Sequence, residues 1–203
     1  MSDDALRIVP ANEASAADLD TIFGVRGEAA RCSCQWFKVE RRAWAEGAPI
    51  EQRRARLHEQ TACGDPHASS TSGLVAYLDD EPVGWCAVEP RTEYVGLHTK
   101  KVPWAGRDED PDDAGVWAVT CFVTRVGFRR RGVMAALAAA TPGFARARGA
   151  RAVEAYPIDV EPGQKFTWGE LYVGSRSAFA DAGFAEVSRP TPRRVVMRRE
   201  LRR

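Results

Sequence analysis

The chain has 203 residues, of which 44% are hydrophobic and 28% charged, and a net charge of +1. That is the size and composition of a single globular domain spanning 1–203. No run approaches the roughly 20 apolar residues of a membrane span, and a near-neutral balance gives no global field, so neither a membrane nor nucleic acid is expected as a partner.

Five cysteines (Cys32, Cys34, Cys63, Cys86, Cys121) are an odd, scattered set, unlike a disulfide framework. With His58, His67 and His98 they offer no second pair at ligand spacing, so free thiols and no metal site are expected. Residues 1–5 lack the basic-then-apolar grammar of a signal peptide, so a cytoplasmic location is expected.

In chain order, residues 6–9 read as a short strand. Ser15, followed by Asp18 and by Leu19, Ile22 and Phe23 at helical spacing, reads as a capped helix. A polar stretch over 48–60 predicts a second, exposed helix, and between the two lies a loop with the cluster Cys32, Cys34, Gln35, Trp36 and Phe37. Residues 73–90 predict a hairpin turning at 79–82. Residues 91–115 have little periodicity and read as a long loop.

Strands are predicted over 117–124 and 152–156. Between them the spacing of Val133, Leu137, Ala140, Phe144 and Ala147 predicts a helix over 132–148, kinked or interrupted at Pro142. A loop bearing Trp168, a short helix over 175–181 closed by Gly183, and strands over 185–188 and 194–201 complete the chain. The basic tail 193–203 alternates around Val195, Val196 and Met197, as a two-faced terminal strand would. Its apolar side is a surface on which two copies could pair as a homodimer.

The segment after Thr124 has the layout of a phosphate site. A strand leads through Arg129, Arg130 and Arg131 to Gly132 and an alanine-rich helix. The first turn of a helix presents unpaired N–H groups and a positive dipole end, and glycine admits phosphate oxygens close to the backbone. The same elements also occur at many surface turns.

The order of elements, the stretch Phe122 to Val133 and the closing Phe179 to Phe184 together resemble the GNAT superfamily of N-acetyltransferases. The resemblance spans roughly residues 5–200, its specific motif 117–150. It implies an α/β (α+β) fold: a mixed, mostly antiparallel central sheet of about six to seven strands, flanked by about four helices, with splayed fourth and fifth strands.

It also implies acetyl-CoA as co-substrate. The pantetheine would run along Phe122, Val123 and Thr124, and the pyrophosphate would rest on the amides of Arg129, Arg130, Arg131, Gly132, Val133 and Met134. A backbone N–H near Phe122 or Val123 would polarise the thioester carbonyl. The family's signature has a small residue where Met134 stands, and its closing helix often carries a tyrosine where this chain has Phe179, which cannot donate a proton. Tyr172 is then the candidate acid.

Glu89, at the end of the hairpin's second strand, is the candidate base, with Glu170 and Asp159 as alternatives. Cys121 reads as a packing residue. By the same resemblance Trp36 and Phe37, with Trp117 and Trp168, would wall the acceptor pocket. The implied activity is acetyl transfer to a primary amine of a small molecule (an amino acid, metabolite or antibiotic) by direct attack in a ternary complex. A protein amine as acceptor, or an acyl-CoA-binding sensor or scaffold without turnover, is the alternative.

Overall fold

The computed structural model describes residues 6–160 and 169–201. Trp168, expected near the pocket, lies outside the described residues. Seven strands form one sheet in the order β1-β2-β3-β4-β5-β7-β6. They are β1 (Leu6–Pro10), β2 (Leu74–Leu78), β3 (Glu81–Pro90), β4 (Val116–Thr124), β5 (Ala152–Ala155), β6 (Ala185–Thr191) and β7 (Arg194–Glu200). Every pairing is antiparallel except β4 with β5.

Six α-helices are described rather than about four: α1 (Ala16–Phe23), α2 (Gly27–Cys32), α3 (Arg41–Glu46), α4 (Ile50–Thr61), α5 (Val133–Arg146) and α6 (Arg176–Asp181). The two unforeseen ones, α2 and α3, have six residues each, too few for a periodic apolar stripe to show. The expected cap is present: Ser15 Oγ accepts from Asp18 N at 3.1 Å, and Asp18 Oδ2 accepts from Ser15 N at 3.0 Å. The β2–β3 hairpin turns on Asp79 and Asp80, at φ 49° and 63°, the left-handed pair that a two-residue turn requires and aspartate tolerates.

Alternation divides the core across the sheet. Cys86, Val88, Trp117, Val119 and Phe122 pack with Leu137, Phe144 and Phe179 from α5 and α6. On the opposite face Val75, Tyr77, Trp85 and Ala87 pack with Leu19, Ile22 and Phe23 of α1 and Leu57 of α4. Further along that face Ala118 and Val196 pack with Phe37, Tyr94, Leu97 and Tyr156.

α5 runs unbroken through Pro142. Proline lacks the N–H that would bond the Ala138 carbonyl, and the Thr141 hydroxyl donates to that oxygen instead, at 2.8 Å. The lost backbone bond is replaced from the adjacent side chain.

Between β3 and the crossover, the segment 91–115 is tied down by charge. Arg91 and Glu154, neither exposed, pair at 3.2 Å. Arg107 and Arg198 also bond Glu154, and Arg107 and Arg198 reach Glu109 at 3.1 and 3.3 Å. Burial pushes the Glu154 carboxyl up, but bonding to Arg107 and then Arg198 and Arg91 outweighs it, and the net direction is down.

Candidate acyl-transfer cleft

The strand β4 is the backbone of the site, and two irregularities shape it. Ala87 of β3 faces Cys121 while the next residue, Val88, faces Val119. Thr120 is therefore an extra residue, a β-bulge, and the alternation of β4 changes phase there. Trp117, Val119 and Phe122 face α5 and α6, whereas Ala118, Cys121 and Val123 face the other way.

The second irregularity is a divergence. β5 pairs with β4 only from Val116 to Val119, yet β4 continues to Thr124. Past Tyr156 the chain turns toward β7 and α6, with Ile158 bridging Ser175 and Arg194. Among the described residues the β5-side edge of 120–124 has no strand partner, so its backbone groups face a wedge-shaped gap. A single 3-10 turn, Glu170–Val173, packs against β4 at this gap. Phe179, fully buried, and Phe122 lie beneath it with ring centroids 5.8 Å apart and planes tilted by 58°. A Cβ on Gly174 would meet Phe179 at 2.8 Å and Phe122 at 3.0 Å, so only glycine lets the chain pass there.

The loop leaving β4 delivers the start of α5 to the mouth of the gap. Gly132 is its N-cap at φ 76°, and no side chain caps the helix. The first amides of α5 are thus unsatisfied within the helix. A Cβ built on Gly132 would meet nothing within 4 Å, so the space above the cap is open. Arg129, Arg130 and Arg131 are exposed around it. Met134 turns its side chain onto the core, leaving its backbone at the helix start. Arg125 instead bonds Glu81 at 2.8 Å and the Pro82 carbonyl at 2.7 Å, fixing the loop to β3.

On the opposite face, Trp36 and Phe37 lie together, Trp36 edge-on to Trp44 at 5.0 Å. Trp117, expected beside them, lies on the far side of the sheet, edge-on to Phe144 at 5.8 Å. Strand alternation gives the Phe37 side to Ala118. Tyr172 packs against the Phe37 and Tyr94 cluster. Burial pushes its phenol up, and Arg194 acts in the opposite sense.

Glu89 is nearly buried, and Lys38, missed in the sequence, forms an ion pair with it. Ser72 donates to the same carboxylate oxygen at 2.7 Å. Asp159 pairs with Arg189 at 2.7 Å and Glu170 with Arg193 at 3.3 Å. Cys34 accepts from the Trp85 indole at 3.0 Å, and burial drives its thiol well up.

A strand open along one edge among the described residues, running into an uncapped, glycine-started helix, is one half of the comparison. The other is sequence: the profile described as the acetyltransferase (GNAT) family matches residues 34–166. The chain belongs to the GNAT acetyltransferase family. It is therefore an acyltransferase, of a family whose members generally use acetyl-CoA and act on amines.

Solved structures share the fold. A GCN5-related N-acetyltransferase from Kribbella flavida is 20% identical, with TM-score 0.54 over 98% of this chain and 100% of that one. An N-acetyltransferase from Staphylococcus aureus Mu50 is 12% identical, with TM-score 0.54 over 98% and 99%. A ribosomal-protein-alanine N-acetyltransferase from Brucella melitensis is 17% identical, with TM-score 0.50 over 97% and 99%. No curated protein matches the sequence.

Proposed function

We propose that the protein is an acetyl-CoA-dependent N-acetyltransferase whose acceptor is a small primary amine. The observation that carries the reading is the edge of β4 at 120–124, unpaired among the described residues, running into the open, left-handed Gly132. An extended pantetheine fits such an edge as an added strand, and a pyrophosphate fits the amides that follow. Arg129, Arg130 and Arg131 supply countercharge, and the backbones of Phe122, Val123 and Thr124 hold the arm. Acetyl-CoA supplies the activated acetyl group.

The chain supplies orientation and a proton. Holding a neutral amine against the thioester carbonyl accounts for much of the rate by proximity alone. The bulge at Thr120 turns backbone groups of β4 toward the gap, where an N–H near Phe122 serves as oxyanion donor. Tyr172, neutral because burial raises its phenol, gives its proton to the leaving sulfur, and the proton released by the acylated nitrogen returns to the Tyr172 oxygen, directly or through water. Glu89 is held in an ion pair with Lys38. Its part in this reading is to fix the Trp36–Phe37 segment against β3 through Lys38, and the amine arrives already deprotonated. A compact amine suits the aromatic side of the cleft, where Trp36, Phe37 and Tyr172 gather.

Calorimetric titration with acetyl-CoA, repeated on an Arg129→Ala, Arg131→Ala variant, tests the cofactor half. A thiol-release screen of amines tests the transfer. Micromolar binding that weakens in the variant, followed by turnover with a small amine, is expected. No binding near millimolar acetyl-CoA would overturn the reading, and binding without turnover on any amine would favour a sensor.

A further inference from the structure

Four arginines reach inward on the Phe37 side of the sheet, and three of them share carboxylates. Arg91, Arg107 and Arg198 are all bonded to Glu154. Arg194 differs. It begins β7 on the same face as Val196 and Arg198, and its Nη2 donates to the Tyr156 carbonyl at 2.8 Å. Among the described residues its Nε, like those of Arg54 and Arg91, is buried without a hydrogen-bond partner, and, unlike theirs, its guanidinium is in no ion pair with a carboxylate. The adjacent carboxylates are engaged elsewhere, Asp159 by Arg189 and Glu170 by Arg193.

A half-buried guanidinium with an orphaned donor is costly, and native structures seldom keep one without a use. Its surroundings indicate the use. Tyr156 and Val196 belong to the aromatic cluster against which Tyr172 packs, and Ile158, which bridges Arg194, marks where the chain has left β4. The turn Glu170–Val173, which carries Tyr172, packs against β4. Arg194 therefore lies beside the cluster on which Tyr172 packs, where the chain after β5 has left β4. Its planar fork matches a carboxylate in two parallel bonds.

We infer that Arg194 recognises an anionic group on the acceptor, which makes the substrate an amine bearing a carboxylate a few atoms from its nitrogen: an amino acid or a metabolite of that class. The inference rests on the acetyl-transfer reading of the same cleft. A plain amine would leave Arg194 unpaired in the ternary complex. A carboxylated amine satisfies it and aims the nitrogen back toward β4.

The test compares amino acids with their amides and decarboxylated counterparts in the thiol-release assay, using wild type, Arg194→Gln and Arg194→Lys. Wild type is expected to favour the acids by at least about thirty-fold in kcat/KM, the loss typical when one partner of a buried charge pair is removed. In Arg194→Gln that preference is expected to vanish through a higher KM for the acids, with a clearly smaller loss on the decarboxylated amines. Arg194→Lys, which keeps the charge without the fork, retains part of it. Equal kcat/KM for acids and decarboxylated amines in wild type would overturn the inference, and so would an equal loss on both in Arg194→Gln.

Acetyl-CoA calorimetry on the same proteins separates the two readings. Binding and turnover without acid preference sink the carboxylate site alone. Loss of acetyl-CoA binding sinks the transfer reading. If no amine turns over, titrating the CoA-saturated protein with the acids and their decarboxylated counterparts reads the site directly, and equal or absent binding of the acids overturns it.

Discussion

Lys38 and Glu89 form an ion pair in which the side chains are only 7% and 10% exposed, one from the loop after α2 and the other from the end of β3. The Lys38 ammonium also lies 4.8 Å from the centre of the Tyr94 ring. Removing the carboxylate charge strands a buried cation. Glu89→Gln is expected to lower stability by about 3–5 kcal/mol, and Lys38→Met with Glu89→Gln to recover much of that, both read by urea unfolding. A loss from Glu89→Gln below about 1 kcal/mol would show that the pair is solvated.

Thr141→Val keeps the shape of the side chain and removes the hydroxyl that satisfies the Ala138 carbonyl beside Pro142. Stability is expected to fall by about 1–3 kcal/mol, the cost of an unsatisfied buried acceptor. Acetyl-CoA affinity is expected to hold, because Thr141 lies in the third turn of α5, away from its N-terminus. An unchanged Tm would show that water reaches that carbonyl.

Glu154 makes stability pH-dependent. Its carboxyl is held below the ordinary value of 4.5, so its contribution is fully present above that pH and is lost as pH falls through the folded-state value. Wild type is expected to lose stability across this acidic window, while Glu154→Gln starts about 3–5 kcal/mol lower at neutral pH and shows a shallower slope. Parallel pH profiles for the two proteins would contradict the assignment.

Gly132→Ala places a side chain at φ 76°, a strain of about 1–2 kcal/mol, and intrudes on the open space above the cap. Acetyl-CoA affinity should drop in calorimetry. Gly143→Ala, in the same helix with clear surroundings, is the contrast: it should bind normally and gain about 0.5–1 kcal/mol.

Tyr172→Phe keeps the packing and removes the proton. In the thiol-release assay kcat is expected to fall about 10²-fold, within the range for a positioned acid, with KM for acetyl-CoA unchanged. An unaltered kcat would leave protonation of the sulfur to solvent.

Much of the architecture was legible because it is local. The capping box at Ser15, the turn at Asp79, the periodicity of α5 and the arginine-glycine run before it are each written within about a dozen residues. Helices α2 and α3 were not, being too short to carry a period. The continuity of α5 through Pro142 was not legible for a related reason: it depends on whether a neighbour replaces the missing bond, and Thr141 does so through a rotamer that only the folded helix defines.

The sequence by itself determined the strand-to-helix junction at Gly132 and the order of the strands and longer helices, because backbone preference and apolar spacing act between near neighbours. The tertiary structure alone decided which side chains meet. Trp117 went to the far face from Trp36, and the bulge at Thr120 moved Cys121 and Val123 to the opposite face from Val119, since a single extra residue inverts strand alternation. Lys38 met Glu89, and Arg91, Arg107 and Arg198 met Glu154, across separations that no local pattern records. Buried charges are costly until paired, and which charges are buried together is fixed only when the sheet closes over them.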